Sequence, residues 1–262
     1  MKNEEINELI TDFSQVNGIQ AIVLGGSRAT NHFDNDADYD IYIYSEILIN
    51  QDIRREILSK YSKYYEISNN YWELEDNGIL KCGIYYDIIY RYLPDITNKI
   101  ASVVENYQSY NGFTTCFWHN ILYSEILYDK DEVFAKVKNR FQVPYPQKLK
   151  ENIIKRNMGL LSDSMNSYKN QILKSTYRKD YVNINNRVSA FFESYFDVIF
   201  AINELTHPGE KRLIEICLSK CKILPNNFEK NVNSLIKNIS NEKSMIDLIE
   251  NMISEFKKII DY

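Results

Sequence analysis

The 262-residue sequence is poor in the side chains that build zinc sites and disulfide frameworks. Its four cysteines form no Cys-x-x-Cys pair, and its three histidines are scattered along the chain. Structural zinc sites need closely spaced Cys and His ligands, so this pattern argues against a zinc protein. The cysteines are instead expected to be reduced thiols of a cytoplasmic protein.

The sequence also lacks a long apolar run. No stretch approaches the roughly 20 apolar residues that span a bilayer. The first five residues are acidic and polar, unlike a signal peptide. Apolar residues make up 44% and charged residues 26% of the chain, which excludes the disordered and fibrous classes. We therefore expect a cytoplasmic protein without a membrane partner.

An excess of positive charge is missing as well. The formal net charge is −5 and the pI is about 5.4, which argues against a protein that mainly grips long nucleic acid. The charge is uneven, with a net of −9 over residues 1–145 and +4 over residues 146–262. The acidity therefore belongs to the N-terminal half.

Strand and helix patterns alternate in the first half and give way to helices in the second. The apolar run Ile19–Leu24 and the alternation over residues 38–44 predict strands. The sequence Glu75-Asp76-Asn77-Gly78 predicts a hairpin turn, because Asn-Gly tolerates positive φ. Two prolines within residues 143–146 break the pattern. We expect an α/β (α+β) domain over residues 1–145 and an all-α helical bundle over residues 146–262.

A glycine pair follows the first predicted strand. Gly25 and Gly26 allow the backbone to turn sharply and to approach a ligand closely. Successive N–H groups in such a turn bind anions, and Ser27 and Arg28 add a hydroxyl and a guanidinium. These four residues are therefore candidate nucleotide-binding residues. The alternative role for Arg28 is that of a surface arginine that caps the turn.

Two aspartates alternate on the next predicted strand. Asp38 and Asp40 face the same way there, and two like charges on one face are costly unless a cation pairs them. Carboxylate oxygens are the ligands that Mg²⁺ shares with phosphate oxygens. A phosphate-binding turn next to metal-binding carboxylates predicts a site for a nucleoside triphosphate (NTP).

Two other motifs do not fit the same stretch. A Walker A loop needs a lysine that the chain lacks after Gly26. An EF-hand in the best alignment would place Tyr39 where glycine belongs and Ser45 where the bidentate glutamate belongs.

The Gly25-Gly26-Ser27 turn, a spacer and the Asp38-x-Asp40 strand together resemble the DNA-polymerase-β-type nucleotidyltransferase superfamily. Within it, the small two-domain antibiotic nucleotidyltransferases, which modify aminoglycosides or lincosamides, are the most similar in organisation. The resemblance covers roughly residues 20–92 and implies a mixed sheet. It also implies a third carboxylate on a neighbouring strand, and Asp87 fits that slot.

The resemblance implies a reaction and its cofactors. Asp38 and Asp40 would hold two Mg²⁺ ions, and Asp87 would bind the ion nearer the acceptor. An acceptor hydroxyl would attack the α-phosphorus of ATP or another NTP, and pyrophosphate would leave. The candidate general bases are Asp87, Glu125, Asp180 and Glu204, and the sequence does not choose among them.

One nucleotide-binding candidate lies in the second half. Lys211 follows His207-Pro208-Gly209 at a predicted helix start, from which it could reach the triphosphate. The alternative is a solvated first helical turn, although a cation there opposes the helix dipole.

The charge of the cleft indicates which chemical class of acceptor to expect. An acidic cleft attracts a polycation and repels a nucleic-acid backbone, which favours a small hydroxylated cation such as an aminoglycoside-like antibiotic. The first domain would bind the NTP and metals, and the helical domain would help to bind the acceptor.

The alternative is a toxin-type nucleotidyltransferase that modifies tRNA or a protein side chain. A non-catalytic nucleotide sensor is disfavoured, because it has no need of three carboxylates. Small enzymes of this type also build sites between two chains, so a homodimer is a further expectation.

Overall fold

The computed structural model describes residues 4–29 and 37–260. Within these ranges, the helices before residue 141 are α1 Glu4–Ser14, α2 Gly26–Ala29, α3 Gln51–Tyr61, α4 Leu93–Val104, α5 Cys116–Tyr123 and α6 Val133–Arg140. The strands among them are β1 Ile19–Leu24, β2 Tyr39–Ser45, β3 Ser62–Asn69, β4 Glu75–Leu80, β5 Tyr85–Arg91 and β6 Glu125–Asp129, and a 3₁₀ turn spans Lys130–Glu132.

The remaining described residues form helices and their connections. The helices are α7 Gln147–Met158, α8 Tyr168–Tyr177, α9 Tyr181–Ile202, α10 Leu213–Lys220, α11 Phe228–Lys237 and α12 Glu242–Ile260, and a π-helical turn, Gly159–Asp163, continues α7. This helical region confirms the predicted change of pattern. Within the described part of the chain, no helix combines the length and the apolarity that crossing a membrane requires.

The six strands form one sheet in the order β3-β4-β5-β2-β1-β6. β2 and β5 pair in parallel, and the other pairs are antiparallel. The sheet is therefore mixed, as the family resemblance implied. The parallel pair joins two strands that are far apart in sequence, and its register decides which side chains meet.

One face of the sheet carries the core of this part of the protein. Tyr39, Ile41 and Ile43 of β2 are buried there, in one cluster with apolar side chains of α1 and α3. On α1 the buried residues recur at helical spacing; they are Ile6, Leu9, Ile10 and Phe13. Because side chains alternate along a strand, Asp40 is turned to the opposite face.

The hairpin turn predicted at Asn77-Gly78 is wrong. Both residues lie inside β4, and the β3–β4 connection is formed by residues 70–74. Glycine is needed at position 78 for space, because an added Cβ would lie 2.3 Å from Oη of Tyr86 on the neighbouring strand. The next turn is at Gly83, where φ is +98°.

The chain forms two compact units. The first comprises Met1–Ala101 and Asn120–Val143, and the second comprises Ser102–His119 and Pro144–Tyr262. The chain thus enters the second unit within α4, returns within α5 and leaves again at the proline segment that was predicted as the boundary. The assignment of NTP binding to one domain and acceptor binding to the other stays a prediction.

Residues 102–119 belong to the helical unit because a buried polar group holds them there. Asp197 of α9 accepts hydrogen bonds from the backbone N of Thr114 (3.0 Å) and from its Oγ1 (2.7 Å). Nδ2 of Asn157 on α7 donates to the same carboxylate at 3.0 Å. Burial raises the pKa of Asp197 to about 6. No local sequence pattern reveals this contact, which joins residues 83 positions apart.

Candidate active site

Three carboxylates meet on the sheet face opposite the α1 core. Asp40 on β2 and Asp87 on β5 are direct partners in the parallel register, and Asp38 immediately precedes β2. One oxygen from each of the three lies within 4.8 Å of the others, and all three residues are half-buried. Three carboxylates at this separation repel one another unless a cation pairs them. The geometry therefore suits a divalent ion with oxygen ligands.

The glycine pair leads the chain directly against this cluster. The backbone N of Gly25 donates to the backbone O of Asp40 at 2.8 Å, so the end of β1 is tied to β2. Gly26 has φ +63°, and an added Cβ there would lie 1.8 Å from Oδ2 of Asp40. Only glycine meets both requirements, because other residues rarely adopt this φ and have no room for a side chain. The carboxylate of Asp40 consequently packs on bare backbone.

One family of known proteins matches the part of the chain that contains this cluster. A family model described as a nucleotidyltransferase domain matches residues 6–110, which include the glycine turn and all three aspartates. The chain carries a nucleotidyltransferase domain of the DNA-polymerase-β type. This match is the nucleotidyltransferase domain that the sequence predicted.

Three solved structures illustrate what a search by fold finds. They include a nucleotidyltransferase-like protein from Exiguobacterium sibiricum (8% identity, TM-score 0.44, 99% of this chain and 75% of that chain). An aminoglycoside 6-adenyltransferase from Bacillus subtilis gives 10% identity and a TM-score of 0.32 over 100% of this chain and 93% of that chain. A CCA-adding enzyme from Thermotoga maritima, complexed with tRNA, gives 9% identity and a TM-score of 0.32 over 99% of this chain and 82% of that chain. No curated protein matches the chain. At these values the neighbours bear on neither substrate nor mechanism, and the family match carries the assignment.

Arg28 of the nucleotidyltransferase domain holds the backbone that leads into β2. Its Nε donates to the backbone O of Ala37 at 2.8 Å and to that of Asp38 at 3.2 Å, and its Nη2 donates to the backbone O of Ala37 at 2.5 Å. Its Cζ also lies 4.2 Å from the ring centroid of Tyr39. These contacts position Asp38, and a direct contact between Arg28 and a nucleotide stays a prediction. Ser27 lies beside it in the short helix α2.

Lys211 is exposed in the turn before α10, in the helical unit. The helix begins at Leu213, and Arg212 at its N-cap has a left-handed backbone. Lys211 therefore precedes the helix rather than forming its first turn, and its predicted contact with the triphosphate stays a prediction.

The candidate general bases have different surroundings. Asp180 caps α9 by accepting from the backbone N of Asn183 at 3.1 Å, and Glu204 pairs with Lys150 at 2.9 Å. Glu125 is exposed on β6, in register with Leu24 at the end of β1. Asp87 alone among the four lies in the carboxylate cluster.

Sequence reasoning missed Asn77, which contacts the cluster directly. Its Nδ2 donates to Oδ1 of Asp87 at 2.7 Å. Glu75, two residues earlier on the same face of β4, has a pKa raised by burial and by the nearby charge of Asp87. The signal in the sequence is the polar residue at every second position, 73, 75 and 77, which is a strand pattern rather than a turn.

A second missed group is an ion pair further along the same face. Arg91 donates from Nε and Nη2 to the two carboxylate oxygens of Glu73, at 2.8 and 2.7 Å. Its Cζ lies 4.3 Å from the ring centroid of Tyr42, which follows Asp40 on that face. Burial disfavours the charge of Glu73, yet its bonds to Arg91 bring its pKa below the usual range. Burial raises the pKa of Tyr42 to about 12, so this phenol is no base at neutral pH.

Proposed function

We propose that the protein transfers a nucleoside monophosphate, from ATP or another NTP, to a hydroxyl of a small cationic molecule of the aminoglycoside type. The observation that carries this proposal is the cluster of Asp38, Asp40 and Asp87 against the glycine turn, inside a nucleotidyltransferase domain.

The turn after β1 offers the NTP a bare backbone. Gly25 and Gly26 have no side chains that would keep a phosphate away, and Ser27 supplies a hydroxyl next to them. Arg28 stabilises the opposite side of the same corner through the carbonyls of Ala37 and Asp38. The phosphates would therefore lie between the turn and the carboxylates.

The three carboxylates fit divalent ions, and Mg²⁺ is the ion proposed. Asp38 and Asp40 would hold two ions, and Asp87 would bind the one nearer the acceptor. When bound, the ions would neutralise the triphosphate and lower the pKa of the acceptor hydroxyl. Half-buried carboxylates of this kind are preorganised by the two strands, whose register sets their spacing.

The reaction exchanges one phosphate ester bond for another. The acceptor oxygen bonds to the α-phosphorus, the bond from that phosphorus to the oxygen bridging to the β-phosphate breaks, and pyrophosphate leaves. The hydroxyl proton passes to a base. Asp87 is the base favoured by position, and Glu125, Asp180 and Glu204 remain the alternatives.

The acceptor is proposed from charge. Glu75 of β4 lies on the same sheet face as the carboxylate cluster and adds a negative charge to it, whereas the charge of Glu73 is paired with Arg91. Such a face attracts a polycation and repels a polyphosphate backbone. A small cationic acceptor therefore fits better than tRNA, and the helical unit would supply further contacts to it.

The test is a mass measurement on candidate acceptors. The protein is incubated with Mg²⁺, each of the four NTPs, and a panel of aminoglycosides, lincosamides, tRNA and bulk protein. We expect a cationic drug to gain the mass of one nucleoside monophosphate, and Asp38→Asn to abolish the gain. Labelling of tRNA or protein instead would overturn the proposed acceptor. The gain of a single phosphoryl group would overturn nucleotidyl transfer itself.

A further inference from the structure

Asn77 occupies a position in β4 where the side chain meets the carboxylate cluster. In the strand registers, Asn77 is the direct partner of Asp87, and Asp87 is the direct partner of Asp40, so the three form a row across β4, β5 and β2. We propose that Asn77 is a positioning residue, which holds the carboxylate of Asp87 in the orientation that binds the cation. This inference rests on the metal-binding role proposed above for Asp87.

The hydrogen bond between these two residues has one possible direction. An ionised carboxylate can only accept, so the amide of Asn77 must present its NH₂ group, and Nδ2 lies 2.7 Å from Oδ1 of Asp87. The bond restricts rotation of the carboxylate about its last torsion, which is otherwise broad. A ligand carboxylate restrained in this way loses less freedom when a cation binds.

A second asparagine orients the first. Nδ2 of Asn69 on β3 donates to Oδ1 of Asn77 at 2.6 Å, so the carbonyl oxygen of the Asn77 amide faces the edge of the sheet. Asn69 in turn donates to Oε2 of Glu66 at 2.9 Å. The amide of Asn77 thus has a partner on each side, and a flipped amide would lose both hydrogen bonds.

The residue type argues against a role in strand stability alone. Asparagine is depleted in strands, and β-branched residues are favoured at a half-buried strand position such as this one. Gly78 beside it is equally unfavourable in a strand. Such local conflicts with secondary structure are expected at functional sites. Gly78 is explained by the hydroxyl of Tyr86, and Asn77 is explained by Asp87.

The test measures Mn²⁺ binding to the full chain without nucleotide, by the electron paramagnetic resonance signal of the free ion. The variant Asn77→Val removes the hydrogen bonds of the amide to Asp87 and Asn69, together with its bond to Glu75, and suits a strand. We expect its Mn²⁺ affinity to fall about 10- to 100-fold, as is typical when the partner of a metal ligand is lost. Its melting temperature should stay equal to that of the wild type or rise. Asn69→Ala, which frees the amide to flip, should give a smaller loss in the same direction.

The controls separate this inference from the proposed function. Ile79→Val changes a half-buried residue of the same strand and should leave Mn²⁺ affinity within about twofold. Asp87→Asn should weaken binding in its own right. If Asp87→Asn weakens binding and Asn77→Val does not, the positioning role is refuted and the metal site stands. If the wild type binds no Mn²⁺, the metal site and this inference both fail. Asn77→Ala serves the same comparison if Asn77→Val does not fold, and unchanged affinity there would likewise refute the positioning role.

Discussion

Gly26 offers the sharpest test of how the turn and the carboxylate cluster depend on each other. In Gly26→Ala the new Cβ would lie 1.8 Å from Oδ2 of Asp40, and contacts under 3.0 Å are essentially never seen, so the carboxylate must move by more than about 1 Å. A misplacement of about 1 Å in an active site can lower the rate about 100-fold. The left-handed backbone at φ +63° adds about 1–2 kcal/mol of destabilisation for a residue with a Cβ.

We therefore expect Gly26→Ala to lose at least about 100-fold in kcat/KM for nucleotidyl transfer while the fold remains. Gly83→Ala is the matched control, because φ there is +98° and the nearest atom to the new Cβ is Nζ of Lys63 at 3.8 Å. It should show a similar loss of stability in urea unfolding and near-normal activity. Equal activities in the two variants would refute the claim that the cluster packs on the bare backbone of Gly26.

Three further outcomes follow from particular contacts. Asp38→Asn should abolish transfer while the melting temperature changes little; undiminished activity would rule out this carboxylate as a metal ligand. Arg54→Met should lower the free energy of unfolding by about 3–5 kcal/mol, because it leaves the buried Asp76 without its ion-pair partner at 2.6 Å. A change below about 1 kcal/mol in urea unfolding would contradict a stabilising role for this ion pair. Acid should destabilise the helical unit, because burial lowers the pKa of His207 to about 3 and that of His119 to about 4. Both imidazoles stay neutral in the folded protein and take up protons on unfolding. The free energy of unfolding is therefore highest above pH ~6.5 and falls as the pH drops toward about 4. At pH 5 each histidine lowers it by about 2 kcal/mol.

The histidine effect is best measured by comparison. Asp197 works in the opposite direction, because its raised pKa favours protonation of the folded state below about pH 6. Urea unfolding at pH 7.5 and pH 5.0 should therefore be compared between the wild type and His207→Leu. The variant should lose less stability on acidification than the wild type. Equal losses in both proteins would show that His207 does not titrate on unfolding.

The sequence was informative where local pattern and chemistry coincide. Alternation along residues 38–44 placed Asp38 and Asp40 away from the buried Tyr39, Ile41 and Ile43, and the structure confirms it. The apolar run over Ile19–Leu24 coincides with β1. These strands obey simple period-two burial, so a single sequence is enough to find them.

The sequence was misleading where a residue serves a tertiary contact. Asn77 and Gly78 resemble a turn because both are poor strand formers, but one contacts Asp87 and the other makes room for Tyr86. The pairing of Asp40 with Asp87 joins strands about 47 positions apart, and no local pattern encodes a parallel register. Asp87 was predicted because the family resemblance implies a third carboxylate on a neighbouring strand. That resemblance implied no role for Asn77.

Nucleotidyl transfer and phosphoryl transfer differ in which phosphate of ATP reaches the acceptor. The protein is incubated with Mg²⁺ and the accepting drug, using ATP labelled at the α-phosphate in one reaction and at the γ-phosphate in another. We expect the α-label to join the drug and the γ-label to leave as pyrophosphate, and we expect both events to be absent when Mg²⁺ is removed and in Asp38→Asn. Transfer of the γ-label to the drug, with the α-label left in ADP, would contradict it.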